Sequence, residues 1–227
     1  MATRKLPLRT ALLAGASGLI GTQLLALLRD HPAYRHTHLL LRRPVPGVAA
    51  YDRITPHIVD YAALPDPLPS VDDVYIALGT TIKVAGSQEA FRQVDRDHVV
   101  AVARAARAVG ATRLAVVSAL GADARSPVFY NRVKGEMEDA VTGLGYESVV
   151  LARPSLLLGD RESLGQPTRA GEVWAARLLR PLLPIVPASV RPIAATAVAA
   201  AMVDALDHAE PGTRVLSSAD LQRLGRG

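Results

Sequence analysis

The sequence predicts an α/β fold: a doubly wound parallel sheet flanked by helices, with a small C-terminal extension. Three observations predict it. Short apolar runs alternate with stretches of helical period along most of the 227 residues. Apolar residues make up 49% of the chain and aromatics only 4%, which suits an Ala- and Leu-rich core of helices on a sheet. A glycine trio, Gly15, Gly18 and Gly21, separates the first apolar run from the first helical one. Residues 1–227 are expected to form a single domain, with 155–227 its loosely patterned part.

In chain order, Thr10–Ala14 reads as a buried parallel strand, and Gly18–Arg29 as a helix ended by Asp30-His31-Pro32. His38–Leu41 is the second strand and His57–Val59 a short third. A proline-rich link, Pro65 to Pro69, leads to a fourth, Val74–Leu78. Gln88–Val109 has helical period, with Phe91, Val94, His98, Val102 and Ala105-Ala106 near one face and Gly110 as its C-cap. Leu114–Ser118 is the fifth strand, Tyr130–Leu144 a helix and Val149–Ala152 the sixth strand. Beyond Pro154 the pattern loosens: a polar loop over 159–171, a short helix over 172–179, then breaks at Pro181, Pro184 and Pro187. Ile193–His208 is an Ala-rich helix, and Thr213–Leu216 a last strand. Strands alternating with helices give parallel pairing through right-handed crossovers.

The stretch Gly15-Ala16-Ser17-Gly18-Leu19-Ile20-Gly21 has the spacing G-x-x-G-x-x-G between strand and helix. The first glycine permits a tight turn, the second leaves room for a pyrophosphate, and the third lets helix and strand pack closely. The helix N-terminus then offers N–H groups and partial positive charge to phosphates. In such sheets ligands bind beyond the carboxyl ends of the strands. Residues suited to a site collect there: Arg42 and Arg43 after the second strand, Asp60 after the third, Gly79 after the fourth, Ser118 at the fifth, Pro154 and Ser155 after the sixth. A carboxylate at the end of the second strand would suit a free ribose 2′-hydroxyl; the pair Arg42-Arg43 suits a 2′-phosphate, so NADP(H) is expected in preference to NAD(H). Asp60 either lies near the adenine or caps a turn.

Tyr130-Asn131-Arg132-Val133-Lys134 sets a tyrosine and a lysine four residues apart on one helix face. A nearby ammonium stabilises phenolate, so Tyr130 suits proton transfer to or from a carbonyl or alcohol. Ser118, twelve residues earlier, suits holding that oxygen. Lys83, Arg92, Asp95 and Asp97 are read as surface groups and Trp174 as core. The six histidines show no metal-ligand spacing.

Taken together, the sequence resembles the atypical short-chain dehydrogenase/reductases, and within them the small proteins of the Tat-interacting oxidoreductase subgroup. The residues that carry the resemblance are 15–21, Leu78-Gly79-Thr80-Thr81, Val94-Asp95-Arg96-Asp97, Ser118 with Gly121-Ala122-Asp123, Tyr130 to Glu136, and Arg153-Pro154 with Gly159-Asp160-Arg161. The resemblance implies a Rossmann fold, NADPH at the glycine turn, and Ser118, Tyr130 and Lys134 as catalytic residues. It implies that Lys134 also holds the nicotinamide ribose. It further implies that Leu78, Gly79 and Thr80 line the cofactor near its ribose and phosphates, and that Pro154 and Ser155 approach the nicotinamide. The C-terminal part would lie on the substrate side. Many relatives carry an asparagine, part of a proton relay, where this chain has Asp95.

Three functions fit these residues: an NADP-dependent oxidoreductase acting on a small carbonyl or alcohol, a cofactor-binding regulator working through a protein partner, and an epimerase with tightly held cofactor. The net charge of +5 is spread without a basic stripe, so no nucleic-acid partner is expected. No apolar run reaches 18 residues, so no membrane partner is expected either. The basic start, Met1 to Lys5, is read as leading into the first strand rather than as a signal peptide. The chain has no cysteine, which excludes disulfides and thiolate chemistry and led to an expected cytoplasmic location. The Ala-rich face of 99–109 would permit a homodimer.

Overall fold

The computed structural model describes residues 8–158 and 190–225. Seven parallel strands form one sheet in the order β3-β2-β1-β4-β5-β6-β9. They are β1 (Arg9–Ala14), β2 (Tyr34–Leu41), β3 (Ile54–Ile58), β4 (Asp73–Ile76), β5 (Arg113–Val117), β6 (Ser148–Ala152) and β9 (Gly212–Leu216). A separate parallel pair, β7 (Leu157–Leu158) and β8 (Ile193–Ala194), sits where the chain leaves and rejoins the described region.

Successive side chains of each central strand enter opposite cores. Ala11 and Leu13 of β1 pack with α1 (Leu19–Asp30) and α6 (Ala195–Asp207) through Leu24, Leu28, Val198 and Met202. Leu12 and Ala14 face α4 (His98–Ala108) and α5 (Phe129–Thr142) through Val99, Val102, Met137 and Val141. A sheet covered on both faces explains why its strands read as unbroken apolar runs rather than alternating ones.

Several boundaries differ from the sequence reading. β2 begins at Tyr34 rather than His38, because the Tyr34 ring is buried and its hydroxyl is bonded. β3 spans Ile54–Ile58 rather than 57–59; Ile54 is its buried anchor, and Pro56 is tolerated because the strand is an edge. Ile193 and Ala194 are strand, not helix. The expected helix 88–109 is divided: α2 (Ile82–Ala85) precedes α3 (Gln88–Arg92), residues 93–97 form an i→i+5 π-turn, and α4 follows. A short α7 (Ser218–Leu224), closed by a Ser217/Asp220 capping box, was not anticipated.

At the amino ends of the strands, away from the ligand edge, one carboxylate braces the sheet. Asp73 is fully buried and accepts from Arg113 Nε at 2.7 Å and Tyr34 Oη at 2.6 Å, with Arg9 at 3.2 Å. The Tyr34 and Tyr75 hydroxyls meet at 2.8 Å. Arg9 also pairs with Asp207 at the end of α6, which His31 reaches at 3.0 Å. This single group therefore ties β1, β2, β4 and β5 together, and through Arg9 draws in α6. Asp73→Ala should leave Arg113 without its carboxylate, Arg9 with Asp207 alone, and cost about 3 kcal/mol; urea unfolding measures it, and an unchanged midpoint would remove the brace from the account.

Candidate functional site

The glycine turn is built on backbone-to-backbone contact. Gly15 has φ +93°, and a Cβ there would lie 2.6 Å from the Ala77 carbonyl at the exit of β4. A Cβ on Gly21 would lie 1.9 Å from the Gly15 oxygen. Gly18 N–H closes the turn on Gly15 O at 2.9 Å, and Gly18 is the N-cap of α1. No side chain caps that helix and no acid lies in its first turn, so its amino end keeps its donors and partial positive charge. Ala16 and Ile20 are buried, Leu19 packs partly against the core and Ser17 is exposed. This cradle fits the pyrophosphate of a dinucleotide: close approach, free N–H groups and no competing anion.

Arg42 and Arg43, at the exit of β2, are exposed, and among the described residues neither joins an ion pair. Asp60 caps a turn, its Oδ1 accepting from Ala62 N at 2.9 Å. Beside it Tyr61 donates to Leu40 O at 2.6 Å and stacks on His98 at 5.8 Å. Burial pushes the Tyr61 phenol up to about 12 and the His98 imidazole down. Leu78 and Thr80 are half-buried and Gly79 exposed.

The second half of the site lies where β5 and α5 meet the loop after β4. Ser118 is 4% exposed; its N–H donates to Ala152 O at 2.7 Å, while its hydroxyl is buried without a hydrogen-bond partner among the described residues. Tyr130 is half-buried in the first turn of α5, its ring 5.3 Å from that of Phe91. Lys134, one turn on, is 3% exposed, and its Nζ is 2.7 Å from Asp95 Oδ1. Burial alone would lower the Lys134 pKa, but the charges of Asp95, Tyr130 and Glu138 hold it above the usual lysine range. Asp95 Oδ2 accepts from Thr80 N–H at 2.8 Å.

Asp95 corrects the sequence reading, which set it on an exposed face: it is 1% exposed. The π-turn inserts one residue, so the buried positions after Phe91 are Asp95 and Val99, not Val94 and His98. Arg92 is likewise engaged, 2.5 Å from Glu136, whereas Lys83 is exposed as expected. Ser155 donates to Arg191 O and accepts from Ser218 Oγ at 2.9 Å, tying the exit of β6 to the returning chain; Pro154 is buried. Trp174, Gly159-Asp160-Arg161, the loop 159–171 and the helix 172–179 lie outside the described residues, as does the basic start at Met1 to Lys5.

A hollow of about 530 Å³, lined in part by Asp123, Arg125, Glu138 and Arg153, contains none of the residues of the glycine turn and none of Ser118, Tyr130 or Lys134. Arg153 binds Glu138 there by two contacts, 2.9 and 2.5 Å. Among the described residues no group of three His, Cys, Asp or Glu is arranged for a metal ion, and no helix is long and apolar enough to cross a membrane.

No protein-family model matches the chain. It is 36% identical over 155 residues to the protein FMP52, mitochondrial, of Eremothecium gossypii, covering 67% of this chain and 68% of that one. It is 32% identical over 184 residues to the protein of the same name from Candida albicans, covering 74% and 80%. Among solved structures, MoeE5 in complex with UDP-glucose and NAD superposes with a TM-score of 0.69 at 18% identity, covering 91% of this chain and 75% of that one. A short-chain dehydrogenase/reductase superfamily protein from Agrobacterium tumefaciens with bound NAD superposes at 0.64 and 18%, covering 92% and 77%. The fold is thus the Rossmann-like one of that superfamily. The names of the relatives overturn the cytoplasmic expectation, since those proteins are mitochondrial. A lack of cysteine does not separate one reducing compartment from another, so it never bore on the choice.

The glycine contacts generate a prediction independent of any ligand. Gly21→Ala forces a methyl onto the Gly15 carbonyl and should destabilise the chain by about 3 kcal/mol, read by chemical denaturation, with loss of nucleotide binding in the fraction that folds. Native-like stability would show that the turn has slack.

Proposed function

This chain belongs to the FMP52 family, and from the glycine turn, Ser118, Tyr130 and Lys134 we propose that it is a nicotinamide-dependent oxidoreductase of the atypical short-chain type. Its substrate is a small carbonyl or alcohol. Within that type the motifs favour the Tat-interacting oxidoreductase subgroup. The observation that carries the reading is the buried Ser118 hydroxyl at the end of β5, without a partner among the described residues, together with Tyr130 and the Asp95-paired Lys134 one turn apart on α5. A buried hydroxyl without a partner is costly in a finished fold, and a substrate oxygen would satisfy it.

Bound reduced nicotinamide supplies the hydride. The chain's own residues hold and protonate the oxygen. Ser118 donates a hydrogen bond to the carbonyl oxygen. Tyr130 gives its phenolic proton to that oxygen as charge develops, and Lys134 stabilises the phenolate that remains. The glycine turn and α1 hold the pyrophosphate at the far end of the cofactor. For the oxidation direction the proton runs back from the alcohol to Tyr130.

NADP(H) in preference to NAD(H) is supported by Arg42 and Arg43, two exposed guanidinium groups at the exit of the second strand with no carboxylate to occupy them among the described residues. Each would offer a forked donor to a 2′-phosphate. Fluorescence titration should give NADPH a dissociation constant at least about tenfold below that of NADH, with the difference abolished in Arg42→Ala/Arg43→Ala. Equal affinities in the native chain would refute the preference.

Turnover is tested separately. Tyr130→Phe should reduce kcat at least about 100-fold and leave cofactor affinity intact. A variant that turns over normally sinks the proton-transfer role. NADPH binding with no consumption across a broad panel of carbonyl compounds would instead favour a cofactor-responsive binding protein. Copurifying nicotinamide with no net redox change would favour an epimerase.

A further inference from the structure

The helix running from Gln88 to Ala108 widens by one residue at Gln93–Asp97. Such insertions carry poorer hydrogen bonding than a regular helix and are found disproportionately at functional positions. Here the insertion turns a carboxylate inward. Burying one is unfavourable unless its charge is paired and its lone pairs are used. Both Asp95 oxygens are used: Oδ1 faces Lys134 Nζ at 2.7 Å and Oδ2 accepts the Thr80 N–H at 2.8 Å. Gly79 leaves the room, since a Cβ there would come within 3.3 Å of Oδ1. Three elements therefore converge on one group: the loop after β4, the π-turn and α5.

We propose that Asp95 is a positioning residue, holding Lys134 as an ammonium in one orientation beside Tyr130 and fixing the Thr80 loop to it. The proposal rests on the reading of the cleft in the preceding subsection. An ammonium has three donors. Spending one on Asp95 sets the direction of the other two, which remain for the phenolate of Tyr130 and for a ribose hydroxyl. Glu138 and Tyr130, one turn to either side of Lys134 on α5, also act on its charge, but neither is bonded to its Nζ. The carboxylate does what a buried hydrocarbon of the same shape could not: it keeps the positive charge in a dry setting.

Asp95→Asn tests this, because an amide can still accept from Thr80 N–H while the counter-charge is gone. The chain holds three lysines, Lys5, Lys83 and Lys134, so the lysine Cε signals can be followed individually by NMR as pH is raised. In the native chain Lys134 should lose its proton above the usual lysine range. In Asp95→Asn its midpoint should fall by a pH unit or more, a tenfold change in proton affinity. Nicotinamide nucleotide affinity should fall with it, increasingly as pH rises through the lowered midpoint. Asp95→Glu, which keeps the charge, should restore the midpoint in part. A native Lys134 midpoint within or below the usual lysine range overturns the proposal and needs no variant to fold. An unchanged midpoint in Asp95→Asn also overturns it. If the midpoint falls as expected but no form of the chain binds a nicotinamide nucleotide, the role of Asp95 toward Lys134 stands and the oxidoreductase reading falls.

Discussion

The contact on which the rest depends is backbone against backbone: Gly21 on the Gly15 carbonyl, and Gly15 on Ala77. No side chain could stand between them. That closeness sets α1 directly over the carboxyl edge of β1 and β4, with its amino end aimed across the edge. From there the order of strands places everything else. β2 on one side carries Arg42 and Arg43 outward, while β4, β5 and β6 on the other bring Gly79, Ser118 and Pro154 to the same edge. Arg42 and Arg43 on one side, and Ser118 and Pro154 on the other, are separated by the width of the sheet rather than by loop geometry.

Two buried carboxylates organise the two ends of the sheet, and their surroundings differ in kind. Asp73 is met by two arginines and a tyrosine hydroxyl, and the group closes on itself through Tyr75. It is a brace with its hydrogen-bonding capacity spent. Asp95 meets one ammonium and one amide, and Lys134 retains donors that the described protein groups do not use up. The hydroxyl of Ser118, at the end of β5, has no partner among the described residues. Unspent polar capacity at one end of a sheet, and saturation at the other, separates a place for chemistry from a place for rigidity.

What the chain reveals without its structure divides along physical lines. The turn at 15–21 was legible because its residues answer to local sterics, and the parallel strands because burial on both faces makes them continuously apolar. Arg42, Arg43, Ser118, Tyr130 and Lys134 were legible from their positions relative to strand ends and from spacing on one helix. Asp95 was not, because a π-turn breaks the 3.6-residue period on which any reading of a helix face relies, and an acid in a polar stretch otherwise reads as solvated. The Asp73 brace joins residues far apart in sequence and leaves no local pattern. The early start of β2 was hidden in the same way: Tyr34 is strand because its hydroxyl reaches Asp73. Asp60 was legible only as two alternatives, and its bond to Ala62 N is the turn cap.

The position of β9 bears on how the protein is made. The five residues of β6, Ser148–Ala152, are all buried, yet their outer neighbour Gly212–Leu216 is among the last parts of this sequence to be synthesised. Until it arrives, a Val-Val-Leu strand offers an open edge to any other extended chain. Four of the five positions of the strand that closes it are exposed, Arg214 among them, so a charge stands on the edge that ends the sheet. The stretch between them therefore sets how long a nascent chain stays vulnerable to mispairing.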